Sequence, residues 1–565
     1  MATDLVYPVC QSLTEKSFAS DIEKLSLKFP TTTPSSSFTV NTETATNGTK
    51  KSKIHTLILD LCDVLFHWTG KDLQALSPQD FRAVILSSTW TELECGKVSE
   101  DKAIESIGKE LSLDPNAIKQ ALAQCRGTVR VDQELLDQLV ELKKEMNGHL
   151  KVYSMTNSSK DDFALLKATL SDWSLFDGEF TSYEAGLSKP ELGYYKHVID
   201  RIGLRDPSSA IFVDDKEVNV NAASSFGLQG MVFRSPASLI RQLRNRLSDP
   251  VTRARQYMMQ NAHNHISCIE NGPEFRDAFS QFLIHWELKE AQYLSLSPPG
   301  ASKAEIKAVI EQASAEAKTW NYFIGDPVGT TKTCKQPSLS ALKKRHGQLT
   351  NFKRLVPDDI DDTATALLAF SPPAASANKV LDKIAASRHP RDNLALNYFC
   401  DGRHRVCPYV ITNVVRAFYH YNRGADVKPE FEHVRRILLN RGYVDGAEAY
   451  TSADVFLYFL SCLVDANPTA PEIQSLRKPM AAALRERVGR REDSVSTTAR
   501  VLACQKLGVW AQSDVQYLKE LQESDGGWEI GWVCRYGRSR KRIGSRGVPT
   551  AWAIKALEFE AQHQK

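Results

Sequence analysis

Three short apolar runs in the first half of the chain each end in a cluster of polar residues. They read HTLILDLCDVLF at 55–66, LKVYSMTNSS at 150–159 and SAIFVDDKEVN at 209–219. Segments with helical periodicity lie between them, such as those at 101–113 and 133–146. Buried strands that alternate with helices predict a parallel α/β sheet. The functional groups of such a sheet lie at the carboxyl ends of its strands, where all three polar clusters fall.

The pattern changes after residue 246. From there we find little strand signal, and the segments at 273–288, 410–422 and 497–511 have the periodicity of helices. Two breaks that contain Ser and Pro, at 297–300 and 371–373, separate the helical segments. This part is predicted to be all-α, and it is long enough to enclose a deep cavity.

The first 53 residues differ from both of these parts. Residues 21–29 have the pattern of a short helix, whereas residues 30–53 are rich in Ser, Thr and Asn with few large apolar side chains. Such a composition predicts disorder. The predicted organisation is a largely disordered segment at 1–53, an α/β domain at 54–246 and a helical domain at 247–565.

Composition narrows the class of protein. The 565 residues carry a formal net charge of +3, so no bulk electrostatic attraction to nucleic acid is expected. No run approaches the roughly 20 apolar residues that a membrane span needs, and the first residues lack the features of a signal peptide. Eleven cysteines without a CxxC pair indicate reduced thiols in a cytoplasmic protein. The sequence leaves a homodimer open.

The stretch VPDDIDDTATALL at 356–368 places four aspartates within five residues, directly before an apolar segment that favours a helix. Burial of such like charges raises the pKa of at least one of them. A carboxyl that stays neutral at physiological pH can donate a proton. The alternatives are a cation site, and a solvated turn in which an aspartate caps the following helix.

The order Asp359-Ile360-Asp361-Asp362-Thr363 resembles the DxDD and DxDTT motifs of class II terpene cyclases, which protonate an alkene. The resemblance implies that Asp361 is the acid and that Asp359 and Asp362 are its hydrogen-bond or relay partners. Asp358, Asp359 and Asp362 also fit the DDxxD metal motif of class I synthases. The stretch YLKELQESDGGW at 517–528 resembles the QW motif of α/α-barrel cyclases and favours class II.

The first half resembles the haloacid dehalogenase (HAD) superfamily. Four of its motifs occur in the correct order, at Asp60, at Thr156 with Asn157, at Lys189, and at Asp214 with Asp215. The resemblance implies that Asp60 is the nucleophile and that Thr156, Asn157 and Lys189 contact the phosphate. It also implies a Mg²⁺ ion held by Asp60, Asp214, Asp215 and the backbone carbonyl of Cys62.

Cys62 departs from this family's pattern, because an aspartate that protonates the leaving group usually stands there. Cysteine is a poor replacement by its pKa. Two interpretations follow: the domain is a slow or degenerate phosphatase, or it acts on a leaving group that needs little protonation, such as phosphate. A further alternative is that the domain persists only as a scaffold for the helical half.

A HAD-type domain followed by a helical domain with DxDD and QW motifs resembles the HAD-like terpene cyclases of drimane-type sesquiterpenes. The resemblance implies an N-terminal Rossmannoid domain with a helical cap, a C-terminal α/α-barrel, and farnesyl diphosphate as substrate. From the basic run RYGRSRKRIGSRG at 535–547 we select Arg535, Tyr536 and Arg546 as contacts of the diphosphate. His404 and Asn413 are candidates for the base that ends the reaction.

Aromatic faces stabilise carbocations, although most aromatic side chains simply pack in cores. We expect one or two of nine aromatic residues to line the cavity. The nine are Trp320, Tyr398, Phe399, Tyr409, Phe418, Tyr419, Trp528, Trp532 and Trp552.

The sequence thus predicts a bifunctional enzyme that cyclises farnesyl diphosphate and removes phosphate from the product. Three rivals remain at this stage. One is a cyclase whose HAD part is silent, the second is a HAD phosphatase with a helical interaction module, and the third is class I chemistry.

Overall fold

The computed structural model describes residues 54–71, 73–296, 302–324, 357–400, 402–536 and 539–563. All of them belong to one compact unit, Lys50–Lys565. The disorder predicted for 1–53, the break at 297–300 and Arg538 of the basic run lie outside the described residues. Within the described ranges, no helix combines the length and apolar character that a membrane crossing requires.

The strands, in chain order, are β1 Thr56–Leu59, β2 Phe66–His67, β3 Arg130–Val131, β4 Lys151–Thr156, β5 Gly178–Thr181, β6 Ala210–Asp214, β7 Gln229–Val232, β8 Ser267–Ile269, β9 Glu274–Phe275, β10 Gly531–Tyr536 and β11 Lys541–Ser545. Five of them form a sheet in the order β5-β4-β1-β6-β7, and all of its pairings are parallel. The predicted α/β architecture of the first part is confirmed.

The helices up to the barrel are α1 Pro78–Ile85, α2 Ser88–Glu94, α3 Glu100–Leu111, α4 Pro115–Arg126, α5 Gln133–Glu145, α6 Lys160–Thr169, α7 Ser182–Ala185, α8 Leu192–Ile202, α9 Glu217–Ser225 and α10 Pro236–Leu247. Helices α1 to α4 share a small apolar core of their own. The antiparallel pair β2–β3 leads into and out of these helices, which form the helical cap.

The remaining helices are α11 Pro250–Gln260, α12 Ala278–Leu288, α13 Lys303–Ala315, α14 Ile360–Phe370, α15 Ala374–Ala386, α16 Pro408–His420, α17 Lys428–Leu439, α18 Ala453–Ala466, α19 Pro471–Gln474, α20 Arg477–Arg485, α21 Ser494–Leu507, α22 Gln512–Glu520 and α23 Gly547–His563. Single 3₁₀ turns cover Pro207–Ser209, Ala291–Tyr293 and Gly424–Val427.

Six of these helices close into a ring, because α12 packs on α14, α14 on α16, α16 on α18, α18 on α21, α21 on α23, and α23 on α12. Their residues are buried around most of each helix, as expected for helices surrounded by others. Helices such as α11, α17 and α22 pack outside the ring. This is the predicted α/α-barrel.

The prediction that the second part is all-α is wrong in one respect. Strands β8 to β11 form an antiparallel sheet in the order β10-β11-β8-β9. The segment at 273–288, predicted as helix throughout, contains β9 before α12 begins at Ala278. The strands are two to six residues long, which is too short for alternation to stand out against the surrounding helical pattern.

The domain boundary predicted between residues 246 and 247 falls inside α10. We retain the division into two domains as a proposal. The prediction of reduced cysteines holds for eight described cysteines, but Cys400 is disulfide-bonded.

Candidate active sites

The aspartate cluster forms the start of α14. Asp359 is the N-cap residue, and its side chain accepts hydrogen bonds from the backbone N–H of Asp361 at 2.7 Å and of Asp362 at 3.4 Å. Backbone bridges to Trp320 and Tyr398 hold Asp359 on both sides. Capping therefore fixes the first helical turn and directs the neighbouring carboxyl groups.

Asp361 is 7% exposed and has two polar partners from other elements. The side-chain amide of Asn413 on α16 donates to Oδ1 at 2.8 Å, and the hydroxyl of Tyr450 bonds to Oδ2. Burial raises the pKa of Asp361 to about 6, while both hydrogen bonds and the charge of Arg416 act to lower it. The carboxyl thus keeps its proton to a higher pH than a solvated aspartate does, and hydrogen-bond donors are already in place for the carboxylate that forms when the proton leaves.

The two flanking carboxyls are held protonated more strongly. Burial, with the charge of Asp361 adding to it, raises the pKa of Asp359 to about 8. Burial raises the pKa of Asp362 well above its ordinary value, and its Oδ1 has no hydrogen-bond partner among the described residues. Like charges at this spacing cannot all ionise.

These carboxyls face a cavity of about 100 Å³ at one end of the helical ring. Its lining comprises Phe279, Tyr322, Phe323, Asp359, Asp361, Asp362, Asn397, Tyr398, Val410, Ala449, Tyr450, Cys534, Arg535, Tyr536 and Ile543. Six of the lining residues are aromatic. Ligand pockets usually measure about 300–1,000 Å³, so this cavity must widen to hold a ligand of that size.

Two of the three predicted diphosphate contacts, Arg535 and Tyr536, line this cavity from β10. Arg546 does not line it. Its guanidinium forms a bidentate pair with Asp525, at 2.8 Å for both bonds, and donates to the carbonyl of Trp528 at 2.9 Å. Arg546 is thus paired within the protein outside this cavity, and its selection as a substrate contact stays a prediction that this placement does not support.

Of the nine aromatic candidates, Tyr398 lines the cavity. Phe399 and His404 border a separate cleft of about 480 Å³, and Trp320 packs edge-on against Phe282 at 4.9 Å. Asn413 donates to the acid, so its selection as a terminating base is replaced by a role beside Asp361.

The sequence reasoning missed Phe279, Tyr322, Phe323 and Tyr450 as cavity residues. Tyr322 and Phe323 come two and three residues after Trp320, one of the nine aromatic candidates, so a signal for them existed. Phe279 and Tyr450 stand outside the quoted motifs and become neighbours of Asp361 only through the fold.

The QW stretch ties two outer helices together. Gln522 is fully buried and donates from its amide to the carbonyls of Pro250 and Gly526, each at 2.9 Å. Trp528 is fully buried as well and donates to the carbonyl of Leu518 at 2.9 Å. These bonds join the end of α22 to the start of α11.

The second site lies at the carboxyl edge of the parallel sheet. Strands β4, β1 and β6 are neighbours, and they deliver Thr156, Asp60 and Asp214 to the same edge. Lys189 is 5% exposed, and its ammonium lies 2.8 Å from Asp60 Oδ1 and 2.7 Å from Asp214 Oδ2. Asn157 holds the backbone of Lys189 through bonds of 2.8 and 2.9 Å.

Burial raises the pKa of Asp60 to about 7, while the adjacent Lys189 acts to lower it. The pKa of Asp214 is held below its usual value by Lys189 and by donors from Lys216 and Asn219. Asp60, Asp214 and Asp215 offer ligand oxygens that all lie within 4.8 Å of one another. Three hard oxygen donors at this spacing suit Mg²⁺.

Three predicted residues of this site differ in their access to the cavity above it. Asn157 and Cys62 line the cavity, whereas Thr156 is fully buried and does not. Burial raises the pKa of the Cys62 thiol, which therefore stays protonated. Asp63, which follows Cys62, adopts a left-handed backbone conformation with φ of 60° and lines the cavity.

The cavity above Asp60 measures about 250 Å³, and most of its lining on the cap side is apolar. The cap side contributes Trp68, Phe81, Ile85, Leu86, Trp90, Leu122 and Cys125, together with the charged Glu94 and Arg126. A charged floor under a largely apolar roof suits a phosphate ester with a hydrophobic alcohol.

Comparisons with known proteins extend this picture. The family described as "Sesquiterpene cyclase astC-like C-terminal domain" matches residues 251–339 and 334–421. The drimenol cyclase drtB of Aspergillus calidoustus is 32% identical over 504 residues, which cover 89% of this chain and 88% of that protein. The sesquiterpene phosphatase astK of Aspergillus oryzae is 35% identical over 189 residues, which cover 33% of this chain and 93% of that protein.

Among solved structures, a HAD family enzyme of Bacteroides thetaiotaomicron in complex with magnesium and inorganic phosphate is 20% identical, with a TM-score of 0.26. The match covers 32% of this chain and 94% of that one. The similarity to the drimenol cyclase, in contrast, extends over both halves of the chain. The protein belongs to the family of HAD-like drimane-type sesquiterpene cyclases, enzymes that combine cyclisation with HAD-type dephosphorylation.

Proposed function

We propose that the barrel converts farnesyl diphosphate to a bicyclic drimane-type diphosphate by protonating its terminal alkene with Asp361. The observation that carries the proposal is a buried carboxyl, raised in pKa, that faces an aromatic cavity and has two polar partners. Water exclusion keeps the proton available, and the partners stabilise the carboxylate that remains.

Ring closure moves positive charge through the cavity. Aromatic faces at Phe279, Tyr322, Tyr398 and Tyr450 surround the carboxyls. Each face stabilises a cation by about 0.5–2 kcal/mol, and the larger value applies where water is excluded. The cavity thus supplies stabilisation that strengthens as the alkene becomes a cation, which is the requirement for catalysis.

The diphosphate needs cationic contacts beside this cavity. Arg535 lines both the acid cavity and an adjoining pocket of about 120 Å³, which Arg405 also lines. Guanidinium groups bind phosphate oxygens in a bidentate manner. We therefore place the diphosphate between Arg535 and Arg405, with Tyr536 nearby.

The HAD part then removes phosphate from the cyclised product. Asp60 is the proposed nucleophile, which forms an aspartyl-phosphate as the phosphate–leaving group bond breaks. Lys189 holds the Asp60 carboxylate in place and offsets its charge. Mg²⁺ bound by Asp60, Asp214, Asp215 and the Cys62 carbonyl would neutralise phosphoryl charge. The apolar roof at Trp90 and Leu86 accepts the terpenyl group.

Two single variants test both activities in one reaction mixture. Asp361→Ala should abolish cyclisation of farnesyl diphosphate. Asp60→Ala should leave cyclisation intact and let the cyclic diphosphate accumulate, as mass spectrometry of the products would show. If the phosphate count of the product is the same with and without Asp60, the hydrolytic role is wrong.

The rivals predict other products. A silent HAD part predicts that the unmutated enzyme releases the cyclic diphosphate. A plain phosphatase predicts phosphate release from small esters and no new carbon ring, whereas class I chemistry predicts direct loss of diphosphate. A cytoplasmic location and a homodimer remain predictions.

A further inference from the structure

Arg416 is a buried cation one helical turn from the partner of the proposed acid. It lies on α16, three residues after Asn413, and is 5% exposed. Its guanidinium donates to Asn413 Oδ1 at 2.7 Å and lies over the rings of Trp286 and Phe459, at 5.0 and 5.4 Å. Arg416 is not among the residues that line the acid cavity.

This contact decides which way the amide of Asn413 points. A side-chain amide has one acceptor oxygen and one donor nitrogen, which coordinates alone rarely distinguish. Arginine has donors only and stays charged in proteins. The amide oxygen must therefore face Arg416, and the NH₂ group must face Asp361.

The orientation of the amide in turn constrains the acid. Asp361 Oδ1 accepts a hydrogen bond from the amide N–H of Asn413. A proton on Oδ1 that pointed toward Asn413 would therefore face a second hydrogen. The hydroxyl of Tyr450, which can donate or accept, contacts Oδ2 instead. The proton of the Asp361 carboxyl can therefore reside on Oδ2, where the Tyr450 hydroxyl can accept its hydrogen bond.

We propose that Arg416 is a positioning residue for cyclisation, which fixes the amide of Asn413 and thereby confines the transferable proton of Asp361 to Oδ2. The inference rests on the proposed role of Asp361 as the acid. In the proton transfer, the Oδ2–H bond breaks, the alkene π electrons form the new C–H bond, and the positive charge passes to the adjacent carbon. The carboxylate left behind accepts from both Asn413 and Tyr450.

Arg416 also affects the ionisation of this site through its charge. The ionisable groups around Asp361 are Asp359 and Asp362 on its own helix, Arg416 on α16, and Tyr322, Tyr398, Tyr450, Cys534, Arg535 and Tyr536 from the facing elements. Arg416 and Arg535 are the cations among these groups, and the charge of Arg416 acts to lower the pKa of Asp361. Without Arg416, the amide of Asn413 is free to turn its oxygen toward Asp361, and a carboxylate at that position is repelled.

The test is a double-mutant cycle between Arg416→Met and Asn413→Leu. A hydrogen bond to an ionised group contributes about 1.5–3 kcal/mol, so Arg416→Met should lower kcat for cyclisation by about 10- to 150-fold, with KM within about twofold. In the Asn413→Leu background, Arg416→Met should lower kcat little further, because the Asn413 amide through which Arg416 acts on Asp361 is already absent.

A second variant separates the donor from the charge. Arg416→Gln retains an N–H donor for the Asn413 oxygen and should recover part of the lost kcat. Both Arg416 variants remove a positive charge that lowers the pKa of Asp361. Because the protonated form is active, the fall of kcat at high pH should move to higher pH in both.

Folding is monitored by hydrolysis of a terpenyl monophosphate at the HAD site and by thermal unfolding. Arg423→Met is the matched control, since Arg423 also lies over an aromatic ring, that of Phe418 at 5.3 Å. If Arg416→Met reduces hydrolysis as well, its folding is impaired, and Arg416→Gln is then used for the comparison with Asn413→Leu.

Two results would overturn the proposal. One is an equal loss of kcat from Arg416→Met in the parent enzyme and in the Asn413→Leu background, and the other is a change in KM alone. Retained cyclisation in Asp361→Asn is a separate result, which would contradict the proposed function itself.

Discussion

Replacing Tyr450 by phenylalanine removes one hydroxyl from the acid site and leaves the ring. The ring of Tyr450 stacks on Tyr409 at 4.5 Å with an interplanar angle of 4°, and it meets Phe279 and Phe459 edge-on. These contacts do not involve the hydroxyl, whose bond to Asp361 Oδ2 is lost. The change therefore tests the hydrogen bond with little alteration of packing.

The expected loss of cyclisation rate follows from the negative charge on Asp361, to which the Tyr450 hydroxyl donates. Its bond is strongest after the proton has left, when Asp361 is a carboxylate. A hydrogen bond to an ionised group contributes about 1.5–3 kcal/mol, and about 1.36 kcal/mol corresponds to tenfold in rate. Cyclisation by Tyr450→Phe should therefore be slower by about 10- to 150-fold.

The pH dependence gives a second readout with a fixed sign. The Tyr450 hydroxyl lowers the pKa of Asp361, which burial raises to about 6. Removal of the hydroxyl raises this pKa further. Because the protonated carboxyl is the active form, the rate is lost as pH rises through its pKa. The descending limb of the pH–rate profile should therefore move to higher pH in the variant.

The assay is single-turnover cyclisation of farnesyl diphosphate on both sides of pH 6, in an Asp60→Ala background so that the diphosphate is retained. Tyr443→Phe is the matched control, because Tyr443 is also buried and stacks on Phe456 without lining the cavity. A rate for Tyr450→Phe within twofold of its parent, with an unmoved pH limb, would refute the reasoning.

Three further predictions concern the barrel tie, the metal and the cap. Gln522→Ala removes two buried hydrogen bonds that the side chain donates, and it should lower the free energy of unfolding by about 2–3 kcal/mol. Urea denaturation measures this change, and unchanged stability would contradict the role of Gln522 in joining α22 to α11. Chelation of divalent cations should stop phosphate release, and added Mg²⁺ should restore it; release that continues in chelator excludes the carboxylate site as a metal site. Leu86 is 70% exposed and lines the HAD cavity, so Leu86→Glu should raise KM for a terpenyl monophosphate by about tenfold without loss of stability. Hydrolysis of a small phosphate ester is the control, and a parallel change in its KM would show that the cap does not select for the terpenyl group.

Much of the HAD-type site could be predicted because its residues follow strand ends. Parallel neighbours bring their carboxyl ends to one edge, so Asp60, Thr156 and Asp214 meet wherever the strand order places β4, β1 and β6 together. The motifs and their order along the chain were therefore enough to predict that these residues lie together. The left-handed turn at Asp63 was not predictable, since that conformation is unusual for a residue other than glycine.

The barrel site was predictable in its acidic helix and in three cavity residues, Tyr398, Arg535 and Tyr536. Asp359 caps α14, as the capping alternative expects, but Asp361 and Asp362 are buried and not solvated, and Asp361 faces the cavity. Tyr450 is 89 residues from Asp361, and Asn413 is 52 residues away. Such pairings depend on which helices and loops meet across the ring. Arg546 lies outside the cavity and is bound by Asp525, a neighbour that a basic run does not reveal.

Three side chains of α10, the last helix before the barrel, reach the loop that carries the QW stretch. Arg241 pairs with Glu523 at 3.2 Å, Arg244 donates to the carbonyl of Ser524 at 3.4 Å, and Asn245 donates to that of Gln522 at 2.9 Å. These contacts would lie at the junction of any chimaera that joins this phosphatase half to another cyclase. A chimaera should exchange α10 and the loop together, since a foreign loop would remove Glu523 as the partner of Arg241 and would leave Arg244 with Glu145 but without the carbonyl of Ser524.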